Sequence, residues 1–320
     1  MSAMAIHDLT LFRHDHAYDP GNRGAETRTW IVVGIAAVVM VAEIVAGIVT
    51  GSMALLADGW HMATHVIALS IAGGAYLLAR FWSTDERFAF GTWKIEVLGA
   101  FSSALLLGVV AIAMIVESVR HLVAPEAIAF APALAVACLG LVVNLASAAV
   151  LGMGHDHGHD HDHDHEHDHD HDHGHHDINL RSAYVHVLAD AFTSVLAIVA
   201  LGAGLWFGIA WLDPVMGFIG AGVVGWWSKG LIAQSARVLL DREMDAPLVA
   251  RIRGAIEIDG DAEIADLHVW RVGRASHAAV LTVVAHRPLD PGAYRERLAG
   301  IPTLMHVSVE VNRCPHGDCP

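Results

Sequence analysis

Six long apolar runs divide this sequence and leave few choices of fold. They are Trp30–Thr50, Met53–Trp82, Val97–Val123, Ala127–Met153, Ile178–Phe207 and Trp211–Ile232. Each has about the 20 residues or more that an α-helix needs to cross the hydrocarbon core of a bilayer. In hydrocarbon every backbone N–H and C=O must find its partner within the segment, so the runs are read as helices. Hydrophobic residues make up 54% of the 320, and the mean hydropathy is +0.47. Soluble domains are less apolar. Gly51-Ser52 leaves only a tight turn between the first two runs, which therefore run antiparallel. Gly217, Gly220, Gly222 and Gly225 in the sixth run allow helices to approach closely. The expected fold is an α-helical membrane protein built on a six-helix transmembrane bundle.

The remaining sequence falls outside that bundle. Residues 1–28 form a polar, His-bearing tail with no apolar core, so they are not read as a signal peptide. Residues 29–239 hold the six spans. A His/Asp-rich loop at 154–177 carries half of the 24 His and much of the formal net charge of −15. Such a run cannot build a core. His155, His157, His159 and His161 open it, and with the intervening carboxylates they are read as a metal-collecting segment. Residues 240–320 have the composition of a small soluble domain. Pro247–Ile258 reads as a helix, Ile264–Val272 and Ala278–His286 as strands, Pro291–Ala299 as a helix and His306–Val311 as a strand. The order α-β-β-α-β predicts an α+β domain with an open sheet covered by helices on one face. The three Cys do not make a disulfide framework. No basic stripe exists, which excludes nucleic acid as a partner.

Charge bias sets the expected orientation. Arg13, Arg23 and Arg28 precede the first span; Arg80, Arg87 and Lys94 lie between the second and third. Arg181 follows the His run, and Lys229, Arg237 and Arg242 lie at or beyond the end of the sixth span. The opposite connections offer only Arg120. By the positive-inside rule both termini and the His-rich loop are cytoplasmic, in a multi-pass protein of the cell (inner) membrane.

Within the apolar runs the ionisable residues are few, and such residues are usually functional. His61 and His65 stand four apart in the second span; His186 and Asp190 stand four apart in the fifth. On a helix each pair projects from one face, one turn apart. Three imidazoles and a carboxylate make a four-ligand N/O set for a divalent transition metal. Asp58, three residues before His61, is read as an orienting partner or part of the entry path. Glu43 is the one carboxylate of the first span. Asn144 reads as a helix–helix hydrogen bond and Cys138 as a small packing residue. Cys314, His316 and Cys319 close the chain as reactive thiols or as a soft metal site.

The sequence resembles the cation diffusion facilitators, the proton-coupled exporters of zinc and related metals. The resemblance runs from the first span to the Cys-bearing tail. It rests on Leu55-Leu56-Ala57-Asp58-Gly59-Trp60-His61-Met62, Phe90-Gly91-Thr92-Trp93-Lys94-Ile95-Glu96, the His186–Asp190 segment, Leu239-Leu240-Asp241 and Leu267-His268-Val269-Trp270. It implies a ferredoxin-like, metallochaperone-like cytoplasmic domain, a homodimer, and a charge interlock of Lys94 with Asp241 near the membrane surface. It also implies accessory metal binding by His268 and His306 and by the Cys314–Cys319 tail, although Thr282 stands where relatives often place His. Zinc members commonly have His then Asp in the second span. Here the second position is His65, and the resemblance leans to the DmeF-type cobalt and nickel exporters, with zinc also handled.

The function expected from this reading is export of divalent cations in exchange for protons, by alternating access. No catalytic cofactor is expected; the metal is cargo. Metal binding expels protons from imidazole and carboxylate ligands, and protonation expels metal, so the two gradients are linked. No phosphate-binding Gly-rich loop is present in the sequence, in keeping with ion-gradient energy. A membrane-bound metal buffer or sensor is the alternative. A membrane metalloenzyme would need an open coordination position and further acid/base groups, which the sequence does not offer.

Overall fold

The computed structural model describes residues 23–50, 53–85, 87–124, 130–152, 178–209 and 211–315, except the side chains of residues 43, 46–50, 53–61 and 64. Six helices form in order: α1 (Arg23–Thr50), α2 (Met53–Phe81), α3 (Trp93–Val123), α4 (Phe130–Gly152), α5 (Ile178–Phe207) and α6 (Leu212–Leu239). Five of them are long and apolar enough to cross a membrane over their described residues, and α2 contributes the apolar stretch His65–Phe81. The expected membrane bundle is borne out. Three helices overrun their apolar runs, α3 by starting at Trp93 rather than Val97. α1 begins before Trp30, and α6 continues past Ile232 to Leu239. Helical hydrogen bonding does not end where hydropathy falls, and long basic side chains such as Arg237 reach back to water from a membrane helix.

The chain divides into two compact units. One comprises residues 23–80 and 94–242, the other 81–93 and 243–315.

In the membrane unit, outward-facing residues are apolar. Val38, Ile112 and Trp226 are well exposed, as suits side chains that meet lipid rather than water. Inside, helices approach through small residues and hydroxyls. Ala25, Val32 and Val33 of α1 pack with Leu69, Ala72 and Tyr76 of α2 and with Leu180, Ala183 and Val187 of α5. A second cluster joins Leu107 and Ala111 of α3 to Ala189 of α5 and Val224 of α6. Side-chain donors bridge helices by bonding to backbone carbonyls. Asn179 Nδ2 donates to Ala72 O at 2.8 Å, Ser182 Oγ to Ala100 O at 3.3 Å, and Ser228 Oγ to Ala104 O at 2.8 Å. Such bonds matter where no water competes.

In the second unit, α7 (Pro247–Ile256), β1 (Glu263–Arg271), β2 (His277–Ala285), α8 (Pro291–Leu298) and β3 (Leu304–Arg313) give the expected α-β-β-α-β order. β2 is central, antiparallel to β1 and parallel to β3. Alternate residues Ala279, Leu281, Val283 and Ala285 of β2 face a core shared with Ile252 and Ile256 of α7 and Tyr294 and Leu298 of α8. A register shift between Ile264 and Asp266 resets the inward alternation of β1. Asp259 ties the turn after α7 to α8: Arg297 donates to it at 2.5 Å, and the backbone N–H groups of Asp261 and Ala262 donate at 3.2 and 3.1 Å. The Arg297 bond, then the backbone bonds, hold its carboxyl down to about 2. Because the folded value lies below the ordinary 3.8, this stabilisation is complete above that value and is lost as pH falls through about 2.

Helix contact in the bundle depends on missing side chains at particular positions. A Cβ on Gly99 of α3 would collide with the Ala75 methyl of α2, whereas one on Gly34 of α1 meets nothing within 4 Å. Gly99→Leu is expected to destabilise the detergent-purified protein by about 1–3 kcal/mol. Gly34→Ala should be neutral or stabilising, because it removes helix-interior glycine. Thermal unfolding followed by size-exclusion recovery measures both.

Candidate metal centre

α2 and α5 bring the centre together. Asn179 holds α5 against α2 at Ala72, and about two to three turns farther along each helix His65 meets His186 and Asp190. His65 and His186 are almost wholly buried, at 4% and 1% exposure. His65 Nδ1 lies 2.6 Å from Asp190 Oδ2 and 3.2 Å from His186 Nε2. His186 Nε2 lies 3.9 Å from the same Asp190 oxygen. The imidazole rings meet edge to face, with centroids 5.1 Å apart. Ser194 and Thr193 donate their hydroxyls to the Asp190 carbonyl at 2.9 and 3.0 Å, which leaves the carboxylate for other partners.

This arrangement suits a small divalent cation. Ligand bonds of about 2.0–2.2 Å in a tetrahedron put neighbouring donor atoms roughly 3.3–3.6 Å apart. The observed separations straddle that value, so changes of under about 1 Å would convert hydrogen bonds into coordination. At 2.6 Å, His65 Nδ1 and the Asp190 carboxylate are within hydrogen-bonding distance. His186 Nδ1 is buried with no hydrogen-bond partner among the described residues. A purely structural histidine would ordinarily have both ring nitrogens satisfied. Among the described residues this is the one group of three or more His, Cys, Asp or Glu side chains whose ligand atoms converge.

The other sequence candidates are distributed as follows. His61 lies one turn before His65 on α2, and Asp58 lies earlier on the same helix; both side chains, like that of Glu43, are outside the described residues. The loop residues His155, His157, His159 and His161, and the tail residues His316 and Cys319, also lie outside them. Lys94 in the first turn of α3 and Asp241 just after α6 meet at 2.6 Å. Asp241 adopts a left-handed backbone with φ of 53°, a conformation that Asp tolerates better than most residues. In the soluble unit, exposed His268 pairs with Asp266 at 3.0 Å. His306 and Trp270 each place a ring centroid 5.4 Å from that of Phe90. Neither histidine converges with two other ligands among the described residues. Cys314 is disulfide-bonded, so it offers a thiolate only when reduced.

A cavity of about 330 Å³ opens beside the centre. His65 and Asp190 line it, and so does Asn144. Glu117, His121 and Asp213 also line it, and the sequence singles out none of them. Glu117 and His121 have the same i, i+4 spacing as the central pairs, but at the end of an apolar run they read as an ordinary helix terminus.

Residues 29–240 match the family model for the cation efflux transmembrane domain. The metal cation efflux system protein CzcD of Cupriavidus metallidurans is 28% identical over 312 residues, covering 94% of this chain and 90% of that protein. The cadmium, cobalt and zinc/H(+)-K(+) antiporter of Bacillus subtilis is 29% identical over 261 residues, 81% of this chain and 76% of that one. The zinc transporter ZitB of Escherichia coli is 29% identical over 292 residues, 87% of each. The matched domain spans the six helices and the buried centre, and the chain belongs to the cation efflux family of multi-pass membrane transporters, the cation diffusion facilitators.

Proposed function

We propose that this protein exports divalent transition-metal cations from the cytoplasm in exchange for protons, with His61, His65, His186 and Asp190 as the transport site. The observation that carries the reading is the buried convergence of His65, His186 and Asp190 across α2 and α5. His61 supplies the fourth ligand from the turn preceding His65, and Asp58 lies on the approach. Cobalt and nickel are the favoured cargo, with zinc also carried. Three imidazoles and one carboxylate give the site one formal negative charge, and imidazole suits all three metals. The Bacillus subtilis relative is named for cobalt and zinc and as an H(+)-K(+) antiporter, which supports both cargo class and exchange.

Protons are the counter-ion because they compete for the same atoms. In this reading a proton held between His65 and Asp190, which lie 2.6 Å apart, takes the place of the metal when the site is empty. Free imidazole titrates at about 6.5, so an acidic exterior favours the protonated, metal-releasing state and the cytoplasm favours loading. The membrane orientation follows the charge bias, with both termini and the loop at 154–177 cytoplasmic. That loop, together with His268, His306, His316 and, once reduced, Cys314 and Cys319, serves as accessory metal-binding equipment on the loading side. The protein acts as a homodimer, and the Lys94–Asp241 ion pair interlocks α3 with the end of α6 near the cytoplasmic surface.

Reconstituted protein is expected to exchange cobalt, nickel or zinc for protons, and Asp190→Ala is expected to reduce exchange to background while the protein stays folded. Normal exchange by Asp190→Ala would remove the site assignment. His65→Asp is expected to shift the cobalt-to-zinc rate ratio towards zinc in a metal-panel assay; an unchanged profile would place selectivity elsewhere. Deleting residues 154–177 should lower apparent affinity and preserve the maximum rate. Loss of nearly all metal function on that deletion would favour a buffer or sensor.

A further inference from the structure

The cavity that begins at His65 and Asp190 reaches a second set of metal-ligating side chains. Glu117 and His121 stand one turn apart near the end of α3, with His121 Nε2 3.3 Å from Glu117 Oε1. Asp213 stands in the first turn of α6 and interacts electrostatically with the His121 imidazole. All three line the same cavity as the central residues.

Two helices place this set at one depth. Leu107, Ala189 and Val224 pack together beside the centre and mark its level. At about 1.5 Å per residue, Glu117 lies roughly 15 Å farther along α3, and Asp213 lies roughly 16 Å back along α6. The opposite ends of these two helices meet at the Lys94–Asp241 ion pair. The cavity therefore leads from the middle of the bundle towards the end remote from that pair.

Ser118 adds an independent sign of an occupant. Its side chain is more than nine-tenths buried, at 7% exposure, and lines the cavity. Its Oγ hydrogen-bonds to no described residue. It sits against Gly217 of α6, where a Cβ would collide with it, so the missing side chain keeps the hydroxyl in the cavity. The hydroxyl opens onto the cavity, where water or a hydrated ion can bond to it.

We propose that Glu117, His121, Asp213 and Ser118 form an exit station for the cargo, a weak divalent-cation site at the cavity end away from Lys94 and Asp241. The proposal rests on the reading of His65, His186 and Asp190 as the transport centre. The ligand atoms of Glu117, His121 and Asp213 do not converge as those of the centre do. They hold the ion through its water shell rather than by closed coordination. That is the chemistry an exit requires, since a cation leaving a dry site must regain water, and a tightly closed second site would trap it. The station has two carboxylates, one of them 3.5 Å from Arg120, so with that cation counted its formal charge equals that of the centre and the ion is passed on towards water rather than trapped.

The test uses full-length protein in liposomes, with cobalt as the probe supplied on the side of the Lys94–Asp241 pair. Initial rates are measured against loading-side cobalt and against cobalt placed on the opposite side. In Glu117→Gln/Asp213→Asn, inhibition by opposite-side cobalt should weaken by about tenfold or more, and the maximum rate should fall severalfold. KM on the loading side should stay within about twofold, because the centre is intact. Wild-type inhibition and rate in the folded double variant would overturn the station. If the double variant does not fold, Asp213→Asn and His121→Gln alone must each weaken opposite-side inhibition, and unchanged inhibition in both would overturn it. Asp190→Ala separates the two readings. Normal exchange in that variant defeats the transport centre itself. Lost exchange there, combined with a wild-type double variant, defeats only the station.

Discussion

Everything in the membrane unit depends on placing one carboxylate and two imidazoles inside an apolar helix bundle. A charged side chain in the middle of a membrane helix costs about 3 kcal/mol or more on insertion scales. Asp190 is tolerable because His65 meets it at 2.6 Å and His186 stands on the same helix face. The contact needs α2 and α5 at close range, and the surrounding residues supply that range. Ala72 and Ala183 pack in one cluster, and Asn179 bonds across the two helices to the Ala72 carbonyl. Removing either partner of the contact leaves a buried polar group unmatched. Shifts of under about 1 Å would bring these atoms to the spacing of ligands around a small cation.

α3 and α6 give the bundle a polarity that α2 and α5 alone do not. Their contact is tied at mid-depth by Ser228 and the Ala104 carbonyl and at one end by Lys94 and Asp241. Towards the other end the space between helices widens into the cavity beside His65 and Asp190. A central site with a tied end and a cavitied end is what a rocking carrier needs, because access then changes by tilting helices about a fixed site. The tie is an exposed ion pair, so its strength is modest and sensitive to salt.

Much of this was legible in the sequence, and the reasons are physical. Helices in lipid must be apolar along their length, so hydropathy alone located all six. The paired spacing of His186 and Asp190 revealed one half of the centre, since residues four apart share a helix face. The juxtaposition with His65 rested on two apolar runs carrying such pairs. Other features depend on tertiary packing and leave weaker marks. α6 runs past its last apolar stretch to Leu239. The register shift in β1 between Ile264 and Asp266 has no glycine or proline to announce it. Glu117, His121 and Asp213 become a group only once α3 and α6 lie antiparallel with their ends aligned, a relation no periodicity encodes. The C-terminal order was readable because β2 and β1 alternate cleanly on either side of that shift.

The central claim is that cargo metal is bound by the imidazoles and carboxylate of His65, His186 and Asp190. X-ray absorption of the purified protein lacking residues 154–177, loaded with one equivalent of cobalt or zinc, tests it directly. The account predicts a first shell of nitrogen and oxygen at about 2.0–2.2 Å, with imidazole outer-shell scattering that weakens in His186→Ala and His65→Ala. An unchanged metal environment in those variants would contradict it.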